Sequence, residues 1–147
     1  SKSEVRTLDL DFAFLADAAQ VTEGKLYAIG GAFDTIWASN IPVVHPHLSL
    51  AMRLFFSPAE VGRKHRVEIN LIDEDGKRVA SVGGDLEIGQ SPNLPKGWQQ
   101  RFLTVLNFVN LKFEKFGSYS FEIVVDNFSV KSIALRIAQR VQFQPQA

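Results

Sequence analysis

The chain contains no cysteine, and this absence removes several kinds of chemistry at once. Without thiols there is no disulfide, no thiolate nucleophile and no zinc site built on cysteine. A cysteine-free chain suits a reducing compartment, so we expect a cytoplasmic protein. The first residues, Ser1 to Glu4, lack an apolar stretch, and we therefore expect no secretory signal in this sequence.

An excess of charge of one sign and long apolar runs are also missing. The 16 Lys and Arg residues balance the 16 Asp and Glu residues, so no long-range field draws the chain to nucleic acid or to an anionic membrane. No apolar run reaches the roughly 18 residues that a membrane-spanning helix needs. We therefore predict neither nucleic acid nor a membrane as a partner.

Methionine is scarce, and no stretch shows the periodicity of a long amphipathic helix. One Met stands against 12 Phe, which indicates a core filled by stiff rings. Short runs of alternating apolar and polar residues fill the chain instead. They predict a single domain over residues 1–147, an all-β, antiparallel β-sandwich of about eight strands with Greek-key or jelly-roll connections.

Two of these runs have distinctive patterns. Leu8, Leu10, Phe12 and Phe14 alternate with polar or small residues, which predicts a half-buried strand with all four facing inward. The run 102–113 is apolar at both odd and even positions, which is typical of a central or two-sided strand.

The clearest hairpin signal is Arg66–Ile88, which turns at Asp73–Gly76. A type I turn with a left-handed Gly76 requires a bulge at Gly83-Gly84 to bring the later apolar residues inward. A two-residue turn at Asp75-Gly76 needs no bulge. We favour the first; it pairs Asp73 with Lys77 and Leu71 with Val79, whereas the second pairs Leu71 with Ala80 and Ile69 with Val82.

Glycine and proline mark the connections. Gly30-Gly31 predicts a sharp bend, and the prolines of Asn40–Pro46 predict a loop or a broken edge segment. Ser57–Glu60 has the pattern of a single capped helical turn. Gly89–Gln100 is the longest break and the most function-like loop.

His45 and His47 form the most tempting metal pair, because residues two apart on a strand project from the same face. Cupin jelly rolls use such a pair together with a glutamate a few residues later. Here no acidic residue follows within Leu48 to Arg53, so a carboxylate would have to come from elsewhere in the fold. Solvent-exposed histidines are the simpler interpretation.

Other constellations are weaker still. Asp73-Glu74-Asp75-Gly76 resembles the start of a calcium loop, but the closing glutamate is replaced by Gly84. A cation held by aspartates from several loops, such as Asp17, Asp34 and Asp126, is the alternative to a plain solvated turn. There is no nucleophile elbow and no phosphate-binding glycine loop. We assign no catalytic residue, no metal ligand and no cofactor, and the binding residues stay unknown.

Two tryptophans and one basic run are further candidates for surface contacts. Trp37 and Trp98 could stack on a sugar or anchor a protein partner if they are exposed. Arg63-Lys64-His65-Arg66 is interpreted as a solvated strand entrance rather than a nucleic-acid patch.

Several stretches of the sequence resemble a family of uncharacterised bacterial proteins, one of the domains of unknown function. The resemblance rests on residues 14–20 (Phe-Leu-Ala-Asp-Ala-Ala-Gln), Gly24-Lys25-Leu26, Gly30-Gly31 and residues 117–121 (Gly-Ser-Tyr-Ser-Phe). It implies a small stand-alone β-sandwich and supplies no catalytic residues.

Three functions follow as hypotheses. The first is a non-enzymatic binding or scaffolding module that contacts protein partners through a sheet face or end loops, with a possible homodimer. The second is a carbohydrate-binding module that requires Trp37 or Trp98 to be exposed in a shallow groove. The third is a cupin-like metal-dependent enzyme centred on His45 and His47.

Overall fold

A computed structural model describes residues 9–141, and this part of the chain is built from strands. The all-β prediction is confirmed, with nine strands in the described residues rather than about eight. A single 3-10 turn, Pro58–Glu60, forms where the helical turn was predicted. The strands are β1 (Asp9–Thr22), β2 (Lys25–Gly31), β3 (Thr35–Ala38), β4 (Val43–Phe56), β5 (Lys64–Asp73), β6 (Arg78–Glu87), β7 (Gln100–Phe113), β8 (Gly117–Val125) and β9 (Phe128–Gln139).

The strands form two sheets, which we call sheet A and sheet B. Sheet A has the order β2-β1-β4-β7, and sheet B has the order β3-β9-β8-β5-β6. Neighbouring strands are antiparallel, as predicted, except β3 and β9, which run parallel at one edge of sheet B.

The predicted bend at Gly30-Gly31 is confirmed, and it carries the chain from one sheet to the other. β2 ends at Gly31 in sheet A, and β3 begins four residues later in sheet B. Gly30 has a φ of +64°, and a Cβ there would collide with the carboxylate of Asp17. Glycine is therefore required by both the backbone conformation and the close approach of β1.

The core lies between the two sheets and is closed by aliphatic and aromatic side chains from both. Three phenylalanines are fully buried there, in agreement with the expected ring-filled core. The largest fully buried side chains are Leu15, Leu48, Leu50, Met52, Leu54, Phe56, Ile69, Leu71, Phe113, Phe121, Ile123 and Leu135.

The prediction that Phe12 and Phe14 face inward is wrong, because β1 contains an irregularity between Leu10 and Phe12. After this register shift Leu15 points into the core, and Phe12 and Phe14 lie on the opposite, outer face of sheet A. One extra residue in a strand exchanges its two faces. The predicted inward position of Leu8 lies outside the described residues.

β7 is an edge strand of sheet A, so of the two interpretations of residues 102–113 the central position is wrong and the two-sided apolar strand remains. Its buried face also changes along its length: Phe108 is buried, and beyond Asn110 the odd positions Leu111 and Phe113 are buried. Asn110 has a φ of +54°. It lies across from Pro46 of β4, because its two neighbours on β7 pair with the two neighbours of Pro46.

The opposite strand, β4, changes its buried face at the same level. Val43 and His45 are half-buried around the exposed Val44, whereas Leu48 begins the fully buried even positions. β4 already begins at Val43, so only part of the predicted Asn40–Pro46 loop is irregular.

The Arg66–Ile88 hairpin combines features of both predicted registers. Near the turn, the N–H of Asp73 donates to the carbonyl oxygen of Lys77, as in the favoured alternative. The bulge, however, lies at Val79 of β6, opposite Leu71 and Ile72 of β5, and not at Gly83-Gly84. Beyond it the register is that of the second alternative, with the pairs Leu71 with Ala80 and Ile69 with Val82.

Candidate functional site

The outer face of sheet B is polar, as expected for a face in water. One row across it consists of Ser81, Asn70, Glu122 and Ser132, on four neighbouring strands. The hydroxyl of Ser81 donates to Asn70 Oδ1 at 2.8 Å, and that of Ser132 donates to Glu122 Oε2 at 2.9 Å. These side chains bond to each other and leave no apolar surface in the row.

The outer face of sheet A is apolar along its middle. The row that crosses its centre consists of Phe14 on β1, Ala51 on β4 and Val105 on β7. A second row contains Phe12 and Leu103 on either side of Arg53. We call this surface the apolar face and define it by Phe12, Phe14, Ile29, Ala51, Leu103, Val105 and Val109.

The side chains of the apolar face point away from the space between the sheets, and Ala51 at its centre is itself fully covered by its neighbours. Ile29 and Val109, toward one end of the face, are 72% and 65% exposed. Phe12 and Phe14 are half-buried, with their rings stacked at a centroid distance of 5.8 Å. On β4 and β7 the hydrogen-bonded pair of Ser49 and Asn107 separates Val109 from the central row. Clusters of partly exposed apolar side chains mark interaction sites more often than isolated apolar residues do.

The positive charges of the apolar face lie at one end of it. The guanidinium of Arg53 lies 5.5 Å from the ring centroid of Phe12 and forms an ion pair with Asp11. The guanidinium of Arg101 lies 4.8 Å from the ring centroid of Phe55. Each of these cations lies against an aromatic ring. The central row of Phe14, Ala51 and Val105 contains no charged residue.

A shallow depression of about 470 Å³ brings together several residues that the sequence singled out. Asp17, Gly30-Gly31, Trp37 and His45 line it. Trp37 is 56% exposed. Burial lowers the pKa of His45 although Asp17 opposes this effect, so the imidazole is neutral at pH 7.

His45 and His47 do not act as a pair in this arrangement. His45 lines the depression, whereas the Nδ1 of His47 donates to the carbonyl oxygen of Asp17 at 2.9 Å. Within residues 9–141 no group of three or more His, Asp or Glu side chains is placed to hold a metal ion. Asp17 lies near His45, but among the described residues no carboxylate forms a metal site together with both histidines.

The acidic turn of the β5–β6 hairpin is bound by its own chain. Asp73 is buried, and its Oδ1 accepts from the N–H groups of Asp75 and Lys77 at 2.9 Å each. The bond from Lys77 is the main cause that holds the pKa of Asp73 below its ordinary range. Lys115 Nζ lies 2.7 Å from Asp75 Oδ2 and 3.4 Å from Asp73 Oδ2, so a cation of the protein already occupies this position.

His65 contradicts the interpretation of residues 63–66 as uniformly solvated, because it is almost completely buried. Its Nε2 donates to the carbonyl oxygen of Glu60 at 2.9 Å, and its Nδ1 lies 2.6 Å from Asp126 Oδ2. Burial opposes the charged imidazole, but these acceptors outweigh it and raise the pKa of His65. The interaction of His65 with Asp126 connects the start of β5 to the β8–β9 turn.

The two tryptophans do not share a groove. Trp98 is 62% exposed in the connection from β6 to β7, at one edge of sheet B, whereas Trp37 lies on β3 at the opposite edge. Any stacking site must therefore use one indole without the other.

The apolar face was missed by sequence reasoning. Its signal is present in the sequence: β7 is apolar at both parities, and β1 carries Phe12 and Phe14 beside the buried Leu15. A two-sided apolar strand predicts either a central position or an uncovered apolar face, and only the sheet order distinguishes the two.

Within the described residues no helix is long and apolar enough to cross a membrane. No curated protein matches the chain. One family model, described as a family of unknown function (DUF6941), matches residues 11–138. The bacterial origin that the resemblance implied stays a prediction. The matched range contains the apolar face and the Trp37 depression, and the chain belongs to this family of unknown function.

Proposed function

We propose that this chain is a non-enzymatic binding and scaffolding module, and that the apolar face is its contact surface for protein. A single observation carries the proposal: the two sheets of one sandwich have outer faces of opposite character. The central row of sheet A is Phe14, Ala51 and Val105, whereas the corresponding layer of sheet B is a hydrogen-bonded row of serine, asparagine and glutamate.

The apolar face is large enough to form the centre of a protein contact. Three strands about 4.8 Å apart, followed from Arg101 to Val109 at about 3.4 Å per residue, give roughly 400 Å² in flat projection, and β2 adds to this area only beside Asn107 and Val109. This area lies within the range of the largest apolar patches found on monomers, and it is about half of the roughly 800 Å² that one partner contributes to a standard interface. Its flat shape suits another sheet, because sandwiches pack sheets face to face.

The occupant that we propose is a second copy of the chain. We place a two-fold axis in the interface, perpendicular to the strands and through the central row. This axis brings Arg53 and Arg101 of one copy over the Val109 end of the other. The like charges are then kept apart, and the uncharged central row meets its own copy. An axis parallel to the strands would bring the arginines together and is disfavoured.

Light scattering on gel-filtered protein tests this proposal. We expect a dimer for the wild type and a monomer for Val105→Glu, because the new carboxylate would be buried without a partner in the interface. Ala134→Glu introduces the same charge on the exposed outer face of sheet B and should leave the dimer intact. Circular dichroism confirms that both variants are folded. A wild type that is monomeric at all working concentrations overturns the proposal.

A carbohydrate-binding module is the second candidate, because Trp37 is exposed beside the carboxylate of Asp17 and the hydroxyl of Thr35. An indole face with a few polar groups is suited to a sugar ring. Screening on a glycan array provides the test: Trp37→Ala should remove the bound glycans and Trp98→Ala should retain them. Glycans bound equally by both variants, or bound by neither the variants nor the wild type, exclude this site.

A further inference from the structure

A cavity of the described chain lies between the sheets at the edge where β6 and β7 approach each other. It measures about 870 Å³, and Lys77, residues 78–82 of β6 and residues 107–112 of β7 form most of its walls. We call it the edge cleft. It lies apart from the central row of the apolar face.

Both strands of the edge cleft end their sheets. Among residues 9–141, β6 pairs with β5 alone, and β7 pairs with β4 alone. Each strand therefore has a row of backbone N–H and C=O groups without a strand partner, which is a template for an added strand. The length of the β6 wall matches an extended segment of about six residues at about 3.4 Å each.

The base of the edge cleft is apolar. Phe108 and Leu111 are buried at its base, and Val79 and Val82 are half-buried and pack against the core. Alternate side chains of an added strand point to the same side, so every second residue of the segment would have to be apolar.

The rim of the edge cleft is cationic although the chain as a whole is neutral. Lys77, Arg78, Lys112 and Lys115 line it against the carboxylates of Asp73 and Glu114. Lys115 is engaged by Asp73 and Asp75, but within residues 9–141 no ion pair joins Lys77, Arg78 or Lys112 to a carboxylate. These charges would repel a second basic edge and attract an acidic segment.

From this geometry we infer that the edge cleft binds an extended, acidic segment of a partner protein, which adds as a strand to β6 or β7. Nucleic acid is the other polyanion that the rim could attract. It fits less well, because neither Trp37 nor Trp98 lines the cleft to stack bases and the rim retains two carboxylates.

Selection from a yeast-displayed library of short random peptides, with the full chain as bait, tests this inference. We expect the enriched peptides to alternate acidic with apolar residues. The double substitution Lys77→Glu/Arg78→Glu should weaken their binding by about tenfold or more. The matched double substitution Lys25→Glu/Lys131→Glu, at exposed positions outside the cleft, makes the same charge change and should preserve binding.

A proline placed within an enriched peptide should also weaken binding, because it removes a backbone donor from the added strand. Enrichment without acidic bias, no enrichment, an equal loss in both double variants, or tighter binding of a single-stranded oligonucleotide would each overturn the inference.

Discussion

At the scale of single residues, the His65–Asp126 pair has the clearest energetic consequence. The carbonyl oxygen of Glu60 and a carboxylate oxygen of Asp126 lie on either side of the buried imidazole, and both accept hydrogen bonds from the ring. Both ring nitrogens therefore serve as donors, which is the arrangement of the imidazolium. Asp126 also accepts from the N–H of Arg66 at 2.9 Å. Burial opposes these bonds, but together they hold the pKa of Asp126 below its ordinary value.

The stability of the protein should therefore depend on pH in a defined direction. Because folding raises the pKa of His65 above 6.5, the stabilisation is fully present below pH 6.5 and is lost as the pH rises through the folded-state value. Because folding lowers the pKa of Asp126 below 3.8, its contribution is present above that pH and is lost as the pH falls through the folded-state value. We expect maximal stability between these limits.

Asp126→Asn tests this assignment. We expect the free energy of unfolding to fall by about 1–2 kcal/mol at about pH 6, because the buried imidazolium loses its charged partner. The decline of stability above neutral pH should also flatten. Urea unfolding at a series of pH values measures both effects.

Asp85→Asn is the matched control for this substitution. Asp85 lies 3.7 Å from Arg66, and both side chains of this ion pair are more than half exposed. Such exposed pairs contribute little to the free energy of unfolding. We expect a change of less than about 0.5 kcal/mol and an unaltered pH dependence. An Asp126→Asn protein with the wild-type pH profile would contradict the assignment to His65.

The sequence could not reveal this pair. His65 lies in a run of basic residues that is typical of a solvated segment, and Asp126 is 61 residues away. What buries the imidazole is the pairing of β5 with β8, which brings the β8–β9 turn beside Arg66. Local composition carries no information about such a partner.

At the scale of elements, Gly83 and Gly84 illustrate how neighbouring glycines differ in β6. A Cβ on Gly83 would lie 2.8 Å from the carbonyl oxygen of Val67, whereas a Cβ on Gly84 would meet no atom within 4 Å. The predicted bulge is absent at this site, so Gly83 serves the close approach of β5 and not an irregular register.

The two alanine substitutions should therefore have opposite effects on stability. Gly83→Ala should lower the free energy of unfolding by about 1–3 kcal/mol, because backbone must shift to admit the methyl group. Gly84→Ala should leave it unchanged or raise it by up to about 1 kcal/mol, because the unfolded chain loses freedom. Thermal and urea unfolding of both variants measure the difference. Equal effects would contradict the geometry at Gly83.

The alternation of apolar and polar residues predicted where strands form. It did not always predict which side of a strand is buried. The run from Leu48 to Phe56 has apolar residues at its even positions, and all of these residues are buried. In β1 the irregularity after Leu10 exchanges the faces, and Phe12 and Phe14 turn outward. Nothing in a period-two pattern marks the position of a bulge, because the residues on either side remain apolar.

At the scale of the whole molecule, the sandwich has one polar face and one apolar face. The resemblance correctly predicted the family and the β-sandwich, because both depend on patterns along the chain. The apolar face could not be predicted, since it is assembled from strands that are distant in sequence and depends on β7 lying at an edge. The sequence singled out several residues of the Trp37 depression one by one, but it did not predict that they lie together. They meet because the chain passes from sheet A to sheet B after Gly31.

The contrast between the faces leads to a prediction for the assembled protein. Because the proposed two-fold axis crosses the central row of the apolar face, Val105 of one copy should lie opposite Val105 of the other. The absence of native cysteine allows a single thiol to be placed there without interference. The same change at Ala134, on the outer face of sheet B, provides a thiol that is exposed but distant from the interface.

Cross-linking of Val105→Cys and Ala134→Cys with a short bis-maleimide tests the central claim most directly. We predict that dilute Val105→Cys protein is captured rapidly as a covalent dimer, because the interface holds the two thiols close together, and that Ala134→Cys protein stays monomeric on the same timescale. Equal and slow cross-linking of the two variants, or faster capture through Ala134→Cys, would contradict the assignment of the apolar face as the contact surface.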